Sequence, residues 1–281
     1  MQIKVKMMRN TLLVWVLSLF FTSSALLAYV DSDMDGVLDK NDKCPNTPLS
    51  ELVDKNGCST KKLYREYHFD VVYGFNYADT APLVSKHLNI PSFSLRADLY
   101  YKNYYLQSYT SYYVNSDANN DVEHGFYDTY VGGGYQKSFF DALFVSGGAG
   151  ALLPTYNDKV ITNNTDYQLQ ASVSYMKNSM VIFGSYAYTF INDIDPTEVS
   201  IFQNTNAYSL GAGRYFTKKI YVSASYGFTN SVYTDVTDIT TTSLYTSYTI
   251  NKHKYFIFRY TYGLSKSANA NSVSLLMGYH F

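Results

Sequence analysis

Five aspartates, Asp31, Asp33, Asp35, Asp39 and Asp42, fall within twelve residues of the chain against a single lysine, Lys40. Carboxylates crowded in this way repel one another unless a cation sits among them. Their hard oxygens, alternating along the chain and turned about Gly36, suit Ca2+, which accepts about six to eight oxygen ligands in flexible geometry. A solvated acidic linker is the competing reading. The two cysteines of the chain, Cys44 and Cys58, stand just beyond this run. In an exported protein they would form a disulfide closing a loop of about fifteen residues, worth roughly 3 kcal/mol in the chain-entropy picture; two free thiols are the alternative.

The stretch Asp31-Ser32-Asp33-Met34-Asp35-Gly36-Val37-Leu38-Asp39-Lys40-Asn41-Asp42-Lys43-Cys44-Pro45, with Asp54-Lys55-Asn56-Gly57-Cys58 after it, resembles the thrombospondin type 3 repeat, whose pattern is D-x-D-x-D-G-x-x-D-x-x-D-x-C. The resemblance covers residues 31–58 and fills every acidic position of that pattern. It implies a Ca2+ loop. By analogy with the EF-hand, Asp31, Asp33, Asp35, Asp39 and Asp42 take positions 1, 3, 5, 9 and 12, and the Val37 carbonyl takes position 7. Asp42 stands where the EF-hand has glutamate, which shortens bidentate reach and points to weaker binding. Bacterial repeats of this kind often join an outer-membrane barrel to a peptidoglycan-binding domain of the outer-membrane protein A type. Here the repeat precedes the β-domain and nothing follows Phe281, so peptidoglycan anchoring is not expected.

The elements around this motif follow from composition. Lys4, Lys6 and Arg9 followed by an apolar run from Thr11 to Phe21 and small residues up to Ala28 read as a secretory signal peptide over 1–28. Residues 29–62 form the acidic, turn-rich segment. From 63 to 281 the alphabet is that of strands: the chain holds 31 tyrosines and 17 phenylalanines, and only 16% of it is charged. A net charge of −1 gives no footprint for nucleic acid.

Within 63–281 apolar and polar residues alternate with a period of two. Val273, Leu275, Met277, Tyr279 and Phe281 share one face against Ser274, Gly278 and His280, with Leu276 the exception. Phe93, Leu95, Ala97, Leu99 and Tyr101 oppose Ser94, Arg96, Asp98, Tyr100 and Lys102 in the same way. About twelve such segments are expected, near 65–78, 91–102, 104–115, 126–138, 142–154, 165–177, 180–191, 204–217, 220–232, 238–251, 254–265 and 270–281. Their connections alternate long and short. That is the plan of an antiparallel up-and-down transmembrane β-barrel, in which every backbone group must be satisfied by closing the sheet. The last strand resembles the C-terminal strand by which the insertion machinery of bacterial outer membranes recognises its barrels.

The expected partners are outer-membrane lipid, that insertion machinery and small hydrophilic solutes. The inward face is expected to carry Asp70, Arg96, Asp98, Asp128 and Arg259 among glutamines, tyrosines and serines, with Asp70 beside Asp98 and one step from Arg96. Such a lining reads as a narrow passive channel; a non-conducting structural or adhesion barrel is the alternative. No catalysis is expected: the five histidines pair with no serine on the apolar face, and Gly132-Gly133-Gly134 with Lys137-Ser138 lacks phosphate-loop spacing.

Overall fold

The structure, a computed structural model, describes residues 33, 37–45, 47, 51–62, 67–79, 89–116, 122–140, 142–156, 162–196 and 201–281. The signal-peptide reading over 1–28 and the ligand positions Asp31 and Asp35 lie outside these residues. The chain divides between Lys62 and Leu63 into two compact units.

The first unit holds a short antiparallel hairpin, β1 (Glu51–Val53) and β2 (Ser59–Lys62). Cys44 and Cys58 are disulfide-bonded, tying the preceding loop to the start of β2. Asp54 organises the turn. Its Oδ1 accepts the Asn56 and Cys58 amides at 2.7 and 3.1 Å, and Gly57 turns the chain at a φ of 78°, which glycine adopts without strain. These amide donors hold the Asp54 carboxyl below its ordinary pKa of 3.8. A depressed folded-state pKa stabilises the turn at pH above the ordinary value and loses that contribution as pH falls through the depressed one. The Asn56 and Cys58 amides should therefore be protected from hydrogen exchange near neutral pH and lose protection as acid titrates Asp54 through its depressed pKa. In Asp54→Ala that pH dependence should vanish. Protection that ignores both pH and the substitution would refute this role.

The second unit is a closed antiparallel barrel. Its strands are β3 (Tyr67–Asp79), β4 (Asn89–Tyr101), β5 (Tyr104–Ser116), β6 (Val122–Phe126), β7 (Thr129–Phe139), β8 (Leu143–Leu153), β9 (Asp166–Lys177), β10 (Met180–Phe190), β11 (Thr205–Thr217), β12 (Ile220–Thr229), β13 (Ile239–Asn251), β14 (Lys254–Gly263) and β15 (Asn271–His280). Apart from β6 and β7, successive strands pair, and β15 pairs with β3 from Asn271↔Asp79 to His280↔Asp70, so first and last strands close the cylinder as expected. β6 and β7 both pair with β5 and form one wall element, which makes the thirteen strands a twelve-stranded barrel. The expected single strand at 126–138 is thus broken. Between Tyr109↔Tyr130 and Tyr112↔Phe126 the β5 side advances three residues and the other side four, a one-residue bulge at Tyr127–Asp128.

Short turns lie at one end of the barrel. Asn178 and Ser179, with φ of 50° and 64°, make the two-residue turn whose twist matches a tight hairpin. The opposite end carries the longer connections.

Packing is inverted relative to a protein that folds in water. Leu210 (65%), Ile182 (56%), Leu106 and Phe93 (both 54%) face outward and exposed, whereas the buried positions include Asp70, Asp98, Ser94, Ser111 and Ser223. Aromatics gather at the strand ends of the outer face, for example Tyr67 and Tyr77 on β3 and Tyr104 and Tyr112 on β5. A continuous apolar belt of this kind in water would be an aggregation site, and flanked by aromatic girdles it matches a bilayer.

Candidate functional site: the barrel lumen

Alternation along each strand decides which side chains enter the lumen, and register decides which of them meet. On β3 and β4, Asp70 lies directly opposite Asp98, and Arg96 opposite Val72, as expected from the sequence. Two carboxylates placed opposite one another repel. Each has its own partner: Arg96 Nε lies 2.8 Å from Asp98 Oδ2, and His280 Nδ1, arriving from the closing strand β15, lies 2.5 Å from Asp70 Oδ1. Asp98 is fully buried, while 45% of the Arg96 side chain remains accessible inside the barrel. His280 stacks on Tyr255 at 4.7 Å, and His68 on Tyr100 at 4.4 Å. Val72 and Ile257 are buried beside these charges. Leu276, the exception to the alternation, also points inward, where it covers Gly74 and stands in register with Ile257. This wall of the lumen is packed.

The remaining two charged positions behave differently. Arg259 faces inward with its guanidinium carbon 5.7 Å from the Tyr245 ring centre. Asp128, in the bulge, belongs to the long-loop rim, where its Oδ1 accepts the Tyr156 amide at 3.0 Å and Asn163 Nδ2 at 2.7 Å. Asp193 is close by in charge and accepts the Asn164 amide at 2.8 Å; burial, opposed by that hydrogen bond, raises its carboxyl pKa.

The opposite wall is open and carries no charge where its cavity lies, and sequence reasoning missed how it is built. Gly132 and Gly134 on β7 stand in register with Gly150 and Gly148 on β8. The Tyr130 ring lies on Gly132 and Gly150, and the Tyr105 ring reaches over Gly134 and Gly148; a Cβ at Gly150 would come within 2.5 Å of Tyr130 Cε2. Gln170 Nε2 donates to Tyr130 Oη (3.2 Å) and Tyr105 Oη (3.4 Å), pinning both rings against the wall. The sequence signal was the glycine run, whose inward members are the alternate ones.

Beyond the flattened rings a cavity of about 430 Å³ is lined by Tyr100, Tyr105, Gln107, Gln136, Ser146, Gln170, Ser172, Ser185, Ser209, Thr229 and Thr241 among others. A second cavity of about 410 Å³ runs to Lys102 and Asn103 at the short-turn rim. The two share Gln136, Ser146 and Ser172. Together they extend from Thr229 and Ile239, near the long-loop end, to the short-turn end.

In the first unit, Asp33 Oδ2 accepts the Thr47 amide at 2.7 Å and Asp42 Oδ1 the Cys44 amide at 2.8 Å, while Leu38 O receives the amides of Asn41 and Asp42. The loop is thus wound on its own carboxylates. Among the described residues no three acidic, histidine or cysteine side chains gather as a metal site, and the set expected to do so includes Asp31 and Asp35.

No protein-family model matches the chain. Two short sequence similarities exist. One is to outer membrane porin F of Pseudomonas aeruginosa, 39% identical over 72 residues, covering 23% of this chain and 21% of that protein. The other is to an alpha-agarase of Alteromonas agarilytica, 58% identical over 33 residues, covering 12% of this chain and 2% of the enzyme. The chain therefore spans a small part of either relative. Among solved structures, the COG4313 outer membrane channel of Pseudomonas putida F1 superposes with a TM-score of 0.59 at 11% identity, over 77% of this chain and 96% of the channel. The translocator domain of the autotransporter NalP of Neisseria meningitidis superposes with a TM-score of 0.53 at 11% identity, over 78% and 89%. The fold is that of outer-membrane barrels. One of these neighbours is a channel and the other a translocator, and a shared fold alone does not choose between such roles.

Proposed function

We propose that this chain is a narrow passive channel for small hydrophilic solutes in a bacterial outer membrane. The observation that carries the reading is the pair of cavities that share Gln136, Ser146 and Ser172 in their linings and lie in succession along one polar wall. An outer-membrane place agrees with the exposed apolar belt and with the channel that shares the fold. The face formed by Val273, Leu275, Met277, Tyr279 and Phe281 is what the barrel-insertion machinery would read. Purified protein in planar bilayers should give small, long-lived conductance steps. A silent protein would favour the alternative of a non-conducting structural or adhesion barrel, to which the packed wall of Asp70, Arg96, Asp98, Val72 and Ile257 gives some weight.

The reading extends to the first unit, taken as a periplasmic Ca2+ loop. Asp31, Asp33, Asp35, Asp39 and Asp42 would supply carboxylate oxygens and Val37 its carbonyl, and the bound ion would neutralise an otherwise self-repelling cluster. Calorimetric titration of the whole protein with Ca2+ should give one site, weakened at least about tenfold in Asp35→Ala and in Asp42→Ala, because water replaces a direct carboxylate ligand poorly. Barrel assembly should be unaffected by either change. Equal calcium heats in wild type and both variants would refute the site.

A further inference from the structure

We infer that the mid-lumen cavity is a reception site for a neutral, polyhydroxylated solute of small-sugar size. The inference rests on the channel reading and names the solute class that its open wall fits.

The cavity's chemistry is one-sided. Its lining contains no Asp, Glu, Lys, Arg or His, although Arg96, Asp98, Asp70 and Arg259 all occupy the same lumen. A charged solute entering it would shed water without meeting a counter-charge. An apolar one would strand the hydroxyls and amides of the wall. What the wall offers is a row of hydroxyls. Ser146 and Ser172 are hydrogen-bonded at 2.7 Å, Ser185 and Ser209 at 2.8 Å, and register sets Ser172 directly opposite Ser185. Each pair uses one hydroxyl hydrogen internally, so it can still donate one and accept through its lone pairs. Two such pairs side by side both donate and accept, which is the hydrogen-bonding character of the hydroxyls around a sugar ring. Gln170 gives its NH2 to the two tyrosines, which turns the amide into an acceptor for the solute. The glycines beneath Tyr105 and Tyr130 hold those rings back, and this retreat is what makes room. The resulting space of about 430 Å³ lies at the small end of ligand sites, which run from about 300 to 1,000 Å³.

The test measures interruption of the ion current of the full-length protein in planar bilayers by glucose and maltose, against glucuronate and glucosamine at constant ionic strength. Neutral sugars should half-block at concentrations about tenfold lower than charged ones. In Ser172→Ala/Ser185→Ala the half-blocking maltose concentration should rise by about tenfold, as loss of two solute hydrogen bonds requires. Ser108→Ala, on the outer face, should leave it unchanged. If the double variant does not assemble, Ser185→Ala alone carries the same test with a smaller rise. Equal block by neutral and charged sugars, or an unchanged double variant, would overturn the inference and leave the channel standing. A silent wild type would remove the channel. Calorimetry of the detergent-solubilised barrel with maltose then decides the site by itself: heat that the double variant loses supports it, and no heat overturns it.

Discussion

Replacing Arg96 by alanine should loosen the barrel and turn its conductance towards cations in a single step. Asp98 is fully buried and its nearest cation is the Arg96 guanidinium, 2.8 Å away, while Asp70 is its neighbour across the strands. Removing the guanidinium leaves a carboxylate in a dry site beside a second one. A fully buried pair broken from one side costs about 3–5 kcal/mol. Because Arg96 keeps 45% of its side chain accessible, about 2–3 kcal/mol is the expected loss here, read from denaturant unfolding in detergent or from the temperature at which the folded gel band disappears. The reversal potential should move in the cation-selective direction, since the lumen then loses a positive charge and Asp98 is left without its partner. Arg96→Ala/Asp98→Asn should recover most of the stability. If Arg96→Ala matches the wild type in both melting and selectivity, the ion pair has no part in either.

The second large effect is expected at neighbouring glycines on one strand. Gly148 and Gly147 are adjacent on β8 but face opposite ways. A Cβ on Gly148 would meet the Tyr105 hydroxyl and lie 2.7 Å from the Gly133 carbonyl oxygen, whereas one on Gly147 would meet only Gln170 O at 3.9 Å. The Tyr105 ring is hemmed by Gln170, and the Gly133 carbonyl belongs to the wall, so neither can retreat without disturbing the sheet. Gly148→Ala should therefore destabilise by about 1–3 kcal/mol, the usual range for overpacking, and Gly148→Val should block assembly. Gly147→Ala should be close to neutral. The measurement is the folded fraction on unboiled gels together with unfolding midpoints. Equal effects at the two positions would show that the tyrosine does not lie on the glycine wall.

Both predictions use contacts that differ in how far the sequence revealed them. That Asp70, Arg96 and Asp98 share the inward face was legible, because a period of two assigns each residue to a face. Their pairing was expected from a short connection, whereas nine residues separate Asp79 from Asn89 and the long ladder of the two strands sets the register. Leu276 stood out as an exception in the same pattern, and the structure explains it: an inward apolar residue beside Ile257, over Gly74. The bulge at Tyr127–Asp128 was not legible. One extra residue shifts the pairing of the two halves of β5 without disturbing local composition, since Phe126 and Tyr127 suit either face.

The sequence by itself determined the class of the fold: alternation, strand length and the rhythm of short and long connections leave a closed barrel as the solution that satisfies every backbone group in lipid. It also determined the acidic loop and the inward face of Asp70, Arg96, Asp98 and Arg259, whereas Asp128, expected with them, sits at the long-loop rim. Only the tertiary structure decided which of those charges are dry. His280 reaches Asp70 across 210 residues of chain, and Gln170 reaches Tyr130 and Tyr105 across 40 and 65, because closure and curvature bring distant strands face to face. Periodicity reports the face a side chain takes, but depth, water and partner across the lumen depend on what the opposite wall places there. That is why a line of similar inward residues became a packed, ion-paired wall on one side and an open hydroxyl-lined path on the other.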